Sequence, residues 1–181
     1  MAFWREMDAS DFRPMEASLT LRAAVADDLD AIMAIERSPG FERWVGRSSA
    51  GEHRAMMDEV NAAYLVGEAD GAVVAFAILR NFDDPHGNRY LKRVAVARPG
   101  EGLGSAFLAR VVDWTFDRVG SHRFWLDCFS HNARAQRVYE KLGFTRDGVL
   151  REAYLGADGV RRDLTMMAVT RPQWEERRAR R

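Results

Sequence analysis

The sequence predicts a single mixed α/β domain in which antiparallel hairpins surround one parallel β-α-β unit. Three observations support this fold class. The chain has 181 residues, a length that suits one domain. Asp70-Gly71 and Asp158-Gly159 are strong two-residue hairpin signals beside apolar runs. Between residues 90 and 128 an apolar strand, a helix and a second apolar strand follow one another, which is the order of a parallel crossover unit.

The first half of the domain is predicted to contain a strand, two helices and three strands. A strand is expected over Ser18–Val25, where apolar residues alternate, and the three aspartates that follow favour the positive end of a helix. A second helix is expected to begin at the capping box of Ser49 and Glu52 and to continue through Val60. Apolar runs then predict strands at residues 64–69, 72–79 and 90–96.

The second half is predicted to alternate helices and strands. A helix with an apolar face follows residue 105 and ends at Gly120, and a helix after Asn132 is closed by Gly143. A short apolar strand at residues 124–129 separates them. The last hairpin joins strands at residues 149–155 and 160–169. The predicted order is therefore β-α-α-β-β-β-α-β-α-β-β.

The division of the chain follows from where this pattern begins and ends. Residues 1–17 show no clear period and are predicted to be an N-terminal arm. Residues 18–171 form the domain, and residues 172–181 are predicted to be a basic C-terminal tail, because four of the last five residues are arginine. The single cysteine, Cys128, excludes an internal disulfide framework.

Charge and hydropathy limit the classes of partner. Lys and Arg number 27, and so do Asp and Glu, so the formal net charge is zero and we expect no nucleic-acid partner. The longest apolar run, residues 72–79, has eight residues. A membrane-spanning helix needs roughly 20. Charged residues near the N-terminus leave no apolar core for a signal peptide, so we expect a cytoplasmic protein without a membrane partner.

The most informative stretch is the glycine-rich loop at residues 98–105. Gly100, Gly102 and Gly104 lie between a strand and a helix, where backbone N–H groups and the helix N-terminus favour a phosphate or pyrophosphate. A flexible turn is the alternative. No lysine follows Gly104, which excludes a P-loop. The dinucleotide-binding pattern needs a third glycine where Phe107 stands and keeps only the acid Asp127 at the end of the next strand.

A second constellation lies in the helix after residue 131. Asn132 and Tyr139 are seven residues apart, which is two helical turns, so they share a face. Each has an ordinary structural explanation: Asn132 can serve as an N-cap, and Tyr139 can be a packing residue at the edge of the core.

Together, the stretches VAVARPGEGLGSAFL and LDCFSHNARAQRVYEKLGF closely resemble the GNAT superfamily of acetyl-CoA-dependent N-acetyltransferases. The resemblance covers about residues 19–170. It implies a mostly antiparallel sheet of six to seven strands, flanked by about four helices, with a parallel strand pair splayed at the cofactor site. The segment GVLREAYLGADGVRRDLTMMAV loosely resembles the ribosomal-protein N-terminal acetyltransferase branch. One departure is Pro99, where the family often has Gln or Arg, with Arg98 beside it.

The resemblance also implies roles for individual residues. The strand Val94-Ala95-Val96 should offer backbone groups to the pantetheine arm of acetyl-CoA, and Asn132 should hydrogen-bond the same arm. Tyr139 matches the tyrosine that protonates the departing thiolate in many members. The pyrophosphate should be cradled by Gly100, Gly102, Leu103, Gly104 and Ser105.

The acceptor side is less defined. Asp127 is the candidate general base, because it ends the strand that carries a glutamate base in some members of the superfamily. Glu36 and His86 are competing candidates at the border of the acceptor pocket, and Trp44 could form a pocket wall. No metal is expected, although Cys128 and His131 have ligand-like spacing.

The resemblance predicts transfer of an acetyl group from acetyl-CoA to a primary amine, of a small molecule or a peptide N-terminus, by direct attack in a ternary complex. Two alternatives belong to other classes. One is a non-catalytic acyl-CoA-binding or regulatory domain, and the other is a dinucleotide-binding oxidoreductase. A C-terminal hairpin often supports dimers in such folds, so a homodimer is a further expectation.

Overall fold

The computed structural model describes residues 19–180, and the predicted N-terminal arm lies outside them. The described part contains seven strands, five α-helices and one 3-10 turn at Ala26–Asp28. The strands are β1 (Thr20–Ala23), β2 (Ala62–Ala69), β3 (Ala72–Arg80), β4 (Asn88–Val96), β5 (Arg123–Phe129), β6 (Thr145–Leu155) and β7 (Arg161–Thr170). The helices are α1 (Leu29–Glu36), α2 (Ala50–Met57), α3 (Leu103–Asp117), α4 (Ala133–Lys141) and α5 (Arg171–Ala179).

The strands form one sheet in the order β1-β2-β3-β4-β5-β7-β6. Strands β4 and β5 pair in parallel, and every other neighbouring pair in the described sheet is antiparallel. The predicted fold class is thereby confirmed. Pairing between β4 and β5 begins at Asn88 with Arg123 and stops at Leu91 with Leu126, although β4 continues to Val96. The two strands therefore diverge beyond Leu91, and the sheet opens just before the glycine loop.

Both faces of the sheet are covered, which explains the uninterrupted apolar run of β3. Phe76 and Ile78 on one face are fully buried in the cluster that contains α1. Ala75, Ala77 and Leu79 on the other face are fully buried in the larger cluster that contains α3. The alternation of β3 side chains between two cores fixes the register of the strand, because a slip by one residue would exchange the two sets.

The contact between α3 and β2 excludes the packing of a dinucleotide-binding fold. The ring of Phe107 is fully buried against Gly67, and a Cβ atom at Gly67 would lie 2.7 Å from its Cδ2 atom. In the dinucleotide-binding pattern the position of Phe107 holds a glycine that brings helix and strand close together. Here a phenyl ring separates helix from strand, and Gly67 provides the space for it.

Residues 171–179, where the sequence predicted a basic tail from residue 172, form helix α5 and pack on the domain. The backbone N–H of Thr170 donates to the Gln173 carboxamide, 2.8 Å away, which caps the helix. Trp174 is buried, stacks on Phe116 with 5.2 Å between ring centroids, and donates its indole N–H to Asp113 at 2.7 Å. The tail prediction missed this buried tryptophan, which makes α5 part of the core.

Several element boundaries differ from the sequence prediction. Helix α2 ends at Met57, and Val60 is 97% exposed, so its apolar side chain does not mark a helical face. Strand β6 begins at Thr145 rather than at residue 149. Strand β1 is limited to Thr20–Ala23. None of the helices between residues 19 and 180 has the length and apolar character needed to cross a lipid bilayer.

Candidate active site at the splayed strands

A cavity of about 600 Å³ lies where β4 and β5 diverge. Its walls come from the end of β4, the glycine loop, the first turn of α3 and one face of α4. Most residues that the resemblance assigns to the cofactor line this cavity. They are Val94, Ala95, Val96, Gly100, Gly102, Gly104, Ser105, Asn132 and Tyr139.

The backbone of the glycine loop requires glycine at two positions. Gly100 has φ +113° and Gly102 has φ +82°, which are left-handed conformations that other residues rarely adopt. Gly102 is the N-cap of α3 and has no side chain to cap the first turn, so the N–H groups of that turn face the loop rather than a capping side chain. Such a helix N-terminus favours an anion.

Gly104 serves a different purpose, because its backbone is helical. A Cβ atom at Gly104 would meet only the two methyl groups of Val96, each at 3.9 Å, which is ordinary van der Waals distance. The fold therefore has room for a side chain at this position. The missing side chain leaves the cavity wall, where a ligand can approach the backbone closely.

Two loop residues differ from the expected roles. Leu103 is only 2% exposed, and its side chain is part of the core, so only its backbone can contribute to the cradle. Arg98 is exposed and does not line the cavity. Arg134, which the sequence analysis did not single out, does line it, and its Nη2 atom lies 3.7 Å from where a Cβ atom of Gly100 would be. Its place two residues after Asn132 was the available signal.

Asn132 begins helix α4 at the border of the cavity. Its carboxamide oxygen accepts a hydrogen bond from the backbone N–H of Ala135 at 3.1 Å, which is the predicted capping role. Its side-chain nitrogen has no hydrogen bond to any residue in the range 19–180. Asn132 can therefore cap the helix and bind a ligand at the same time, because the two roles use different atoms.

A second cavity of about 290 Å³ adjoins the first one at Tyr139. Tyr90, Asp127, Cys128 and Tyr154 line it, together with part of the segment between α1 and α2. Five residues border both cavities: Trp44, Val45, Val94, Asn132 and Tyr139. Two ligands, one in each cavity, would therefore meet beside these five residues.

Tyr139 keeps its proton at neutral pH. Burial raises the pKa of its hydroxyl well above the ordinary value, and the neighbouring Cys128 and Asp127 raise it further. The ring packs against Phe144 with 5.9 Å between centroids, which fixes its position. A half-buried neutral phenol that borders two cavities is a suitable proton donor.

Asp127 lines the second cavity and is held by a tyrosine. The hydroxyl of Tyr90 donates to Asp127 Oδ1 at 2.6 Å, and the Tyr90 ring stacks on Trp125 with 4.2 Å between centroids. Burial, followed by this hydrogen bond, raises the pKa of Tyr90, so the phenol remains the donor. The neighbouring Cys128 thiol is protonated, because burial raises its pKa to about 11.

Glu36 and His86 do not border either cavity. Glu36 is completely buried, accepts from Arg93 Nη1 at 2.8 Å and from the Ser48 N–H at 3.0 Å, and lies 3.3 Å from His53 Nε2. This carboxylate is committed to the fold and cannot reach an acceptor. His86 is exposed in the loop before β4, where its backbone N–H donates to the Asp84 carboxylate at 2.9 Å.

The described residues offer no metal site. Between residues 19 and 180, no three side chains of His, Cys, Asp or Glu lie close enough together to hold a metal ion. Cys128 and His131 therefore lack the further ligands that a zinc site needs. His131 instead packs against Trp44, with 5.2 Å between ring centroids.

Solved structures with the same fold are acetyltransferases. The spermidine N-acetyltransferase from Vibrio cholerae in complex with CoA and spermine superposes with a TM-score of 0.78 over 88% of this chain and 99% of that chain. A point mutant of the same enzyme gives a TM-score of 0.78 over 89% of this chain and 98% of that chain. Both are 20% identical to this chain, so they show the shared fold.

Curated relatives match over shorter stretches. The chain is 36% identical over 69 residues to the [ribosomal protein bS18]-alanine N-acetyltransferase of Escherichia coli, covering 38% of this chain and 45% of that protein. It is 36% identical over 85 residues to the mycothiol acetyltransferase of Kineococcus radiotolerans, covering 47% and 27%. An uncharacterized N-acetyltransferase of Bacillus subtilis is 29% identical over 72 residues, covering 40% of each chain. The matches thus span less than half the length of each relative.

The family comparison covers most of the region that forms the site, except the part of the smaller cavity that β6 and β7 line. The protein-family model described as "Acetyltransferase (GNAT) family" matches residues 29–144, which extend from α1 through the glycine loop to just beyond the end of α4. The splayed parallel strands and the glycine loop at the start of α3 lie within the matched residues. The overall fold is the one shared with the solved acetyltransferase structures. The chain belongs to the GNAT acetyltransferase family.

Proposed function

We propose that this protein transfers the acetyl group of acetyl-CoA to a primary amine by direct attack in a ternary complex. The observation that carries the proposal is the border shared by the two cavities. Val94, Asn132 and Tyr139 line both, so a thioester held in the larger cavity and an amine held in the smaller one meet at the same side chains. Direct transfer needs this proximity and no covalent intermediate on the protein.

The larger cavity fits the chemical groups of acetyl-CoA. The backbone of Gly102 and Gly104 and the N-terminus of α3 suit the pyrophosphate, and Arg134 adds a positive charge beside the loop. Pro99 stands where the family often has a Gln or Arg side chain, and we expect the guanidinium group of Arg134 to contact the phosphate in its place. The open edge of β4 beyond Leu91 suits the pantetheine arm, because an extended amide chain can pair with free backbone groups of a strand. Bound acetyl-CoA supplies a thioester, whose carbonyl carbon is the electrophile.

Asp127 prepares the amine for attack. A protonated primary amine has no lone pair, so its proton must leave before attack, and a lysine-like amine has a pKa of about 10.4. Asp127 lines the acceptor cavity, and Tyr90 occupies one of its carboxylate oxygens. We expect the other oxygen to accept the proton of the amine, directly or through one water molecule.

Two groups act on the charge that develops during transfer. We expect backbone N–H groups of β4 near Val94 to stabilise negative charge on the carbonyl oxygen, because β4 has no β5 partner beyond Leu91. We expect Tyr139, which borders both cavities, to donate its hydroxyl proton to the departing sulfur. Its raised pKa keeps that proton available at neutral pH.

The test combines turnover with binding. Thiol release from acetyl-CoA is measured with amines, polyamines, antibiotics and short peptides, and acetyl-CoA binding is measured by calorimetry. We expect turnover with at least one amine and initial-velocity lines that intersect, as a ternary complex requires. Parallel lines would overturn direct attack. Acetyl-CoA binding without turnover on any of the panel would favour the non-catalytic acyl-CoA-binding alternative.

A further inference from the structure

Aromatic rings form one wall of the acceptor cavity. Trp44 from the segment between α1 and α2, Phe129 at the end of β5 and Tyr154 in β6 all line it. The rings of Phe129 and Tyr154 meet edge to face with 4.9 Å between centroids, and those of Trp44 and Phe129 lie 6.1 Å apart. We call these three residues the aromatic wall. Such a surface favours apolar and aromatic groups over solvated ones.

An irregularity in β6 directs Tyr154 to this wall. The pairing with β7 shifts between Leu150 and Tyr154, so the intervening residues form a bulge. Within it Glu152 has φ +52°, and its N–H donates to Asp163 Oδ1 at 2.8 Å. The backbone carbonyl of Asp163 accepts from the Ser130 N–H at 3.0 Å, next to Phe129. Asp163 therefore ties the bulge to the end of β5, and bulges commonly redirect a side chain beside an active site.

The charges around the cavity do not suit a substrate with several ammonium groups. Asp127 is the one carboxylate among the described residues that line either cavity, and it already accepts from Tyr90. Lys92 and Arg93 line the same cavity. Arg93 is neutralised by the buried Glu36, whereas Lys92 is exposed. A second ammonium group would therefore approach a lysine and find no second carboxylate.

We propose that the acceptor is a monoamine that carries an apolar, preferably aromatic, group and no second ammonium. The inference deepens the proposed function and rests on it. The amine points toward Asp127 and Tyr139, and its apolar group lies on the aromatic wall. The cavity, about 290 Å³, is near the lower limit for ligand pockets and suits such a small molecule or the end of a larger one. Polyamines, which the structural neighbours are named for, do not fit this charge distribution.

The test compares three amines at saturating acetyl-CoA: phenethylamine, n-butylamine and spermidine. We expect kcat/KM for phenethylamine to exceed that for spermidine by at least about tenfold. Tyr154→Ala should lower kcat/KM for phenethylamine by about tenfold, and that for n-butylamine by less, because the aliphatic amine loses no ring contact. The matched control is Leu155→Ala. Leu155 is the next residue of β6, 57% exposed and outside both cavities, so all three values should stay constant.

A second variant tests the charge argument alone. Lys92→Glu should raise kcat/KM for spermidine by about tenfold and that for phenethylamine by less, because spermidine brings two further ammonium groups into the cavity that Lys92 lines. Lys92→Met, which removes the charge without reversing it, should give an intermediate value for spermidine. No response of spermidine to either substitution would overturn the charge argument.

Amine binding to the CoA-loaded protein, measured by calorimetry, separates this inference from the proposed function. Turnover with spermidine equal to or above that with phenethylamine overturns the inference and leaves acetyl transfer intact. Tighter binding of phenethylamine without turnover of any amine supports the inference about the site and refutes the proposed function. Failure of phenethylamine to bind, or equal binding of spermidine, overturns the inference.

Discussion

Replacing Gly104 by alanine should weaken acetyl-CoA binding without weakening the fold. Gly104 is the second residue of α3, its backbone is helical, and an added Cβ atom would have 3.9 Å to Val96. No contact in the described protein resists the methyl group. The methyl group would instead stand on the wall of the larger cavity, between a bound phosphate and the helix N-terminus.

The structure gives the two effects opposite signs. Alanine in place of glycine within a helix stabilises the folded protein by about 0.5–1 kcal/mol, because the backbone loses less conformational entropy on folding. One hydrogen bond to a charged group contributes about 1.5–3 kcal/mol. Loss of one phosphate contact from the backbone at Gly104 should therefore raise the acetyl-CoA Kd by about 10- to 150-fold. The free energy of unfolding without ligand should rise or stay constant.

The assay pairs chemical denaturation of the free protein with calorimetry of acetyl-CoA binding. Gly51→Ala is the matched control. Gly51 is the second residue of α2 and has nothing within 4 Å of its added Cβ atom, so it should show the same stabilisation and no change in affinity. Gly102→Ala provides the contrast, because φ +82° makes alanine strained there. It should destabilise the free protein by about 1 kcal/mol.

An unchanged acetyl-CoA Kd for a folded Gly104→Ala protein would refute the placement of the phosphate cradle. A loss of both stability and affinity would refute the geometric argument in another way, because it would mean that the methyl group disturbs α3 itself.

Three further substitutions test the remaining parts of the site. Tyr139→Phe should lower kcat by roughly 10- to 10³-fold with acetyl-CoA affinity retained. Because burial raises the pKa of Tyr139, the wild-type kcat should not fall through ionisation of this group between about pH 7 and 9. Full activity of the variant would end its assignment as the acid. Asp127→Asn should lower kcat/KM by roughly 10²- to 10⁴-fold, and by less as rising pH supplies neutral amine. A loss that does not vary with pH would leave Asp127 a positioning role. Glu36→Gln should destabilise the protein by about 3 kcal/mol in denaturation experiments, because Arg93, 11% exposed, loses its buried partner. A change below about 1 kcal/mol would contradict the buried ion pair.

Local signals in the sequence were sufficient for most of the fold. Asp70-Gly71 forms the predicted two-residue turn between β2 and β3. Asp158-Gly159 also marks a hairpin, but it lies in the longer connection of residues 156–160 between β6 and β7. Helix α5 was missed because its charged composition hides Trp174, whose partner Phe116 lies in a distant helix. Val60 caused the opposite error, because the sequence predicted that α2 continues through it, whereas the helix ends at Met57 and Val60 is exposed. An apolar side chain that continues a helical pattern can still lie outside the helix.

Most residues predicted for the cofactor line the larger cavity, whereas Glu36 and His86, predicted for the acceptor, line neither cavity. Gly100, Gly102 and Asn132 belong to contiguous stretches, where the role of a residue depends on its own backbone or helix end. The acceptor cavity is assembled from segments that are distant in the chain. Sequence spacing could not show that Glu36 points into the core toward Arg93, or that a bulge in β6 brings Tyr154 to Phe129.

The buried carboxylate of Glu36 has a consequence for the thermodynamics of acceptor binding. Glu36 accepts a hydrogen bond from the Ser48 N–H, and Arg37 donates to the Ser48 carbonyl at 2.7 Å. These bonds attach the C-terminal end of the segment that carries Trp44 to the end of α1 in the free protein. Within the segment, the backbone N–H groups of Trp44 and Val45 both donate to the Phe41 carbonyl at 2.8 Å, which holds Trp44 in a turn. If the proposed acceptor binds here, we expect this segment to lose little conformational entropy, and preorganisation of this kind improves affinity without any added contact.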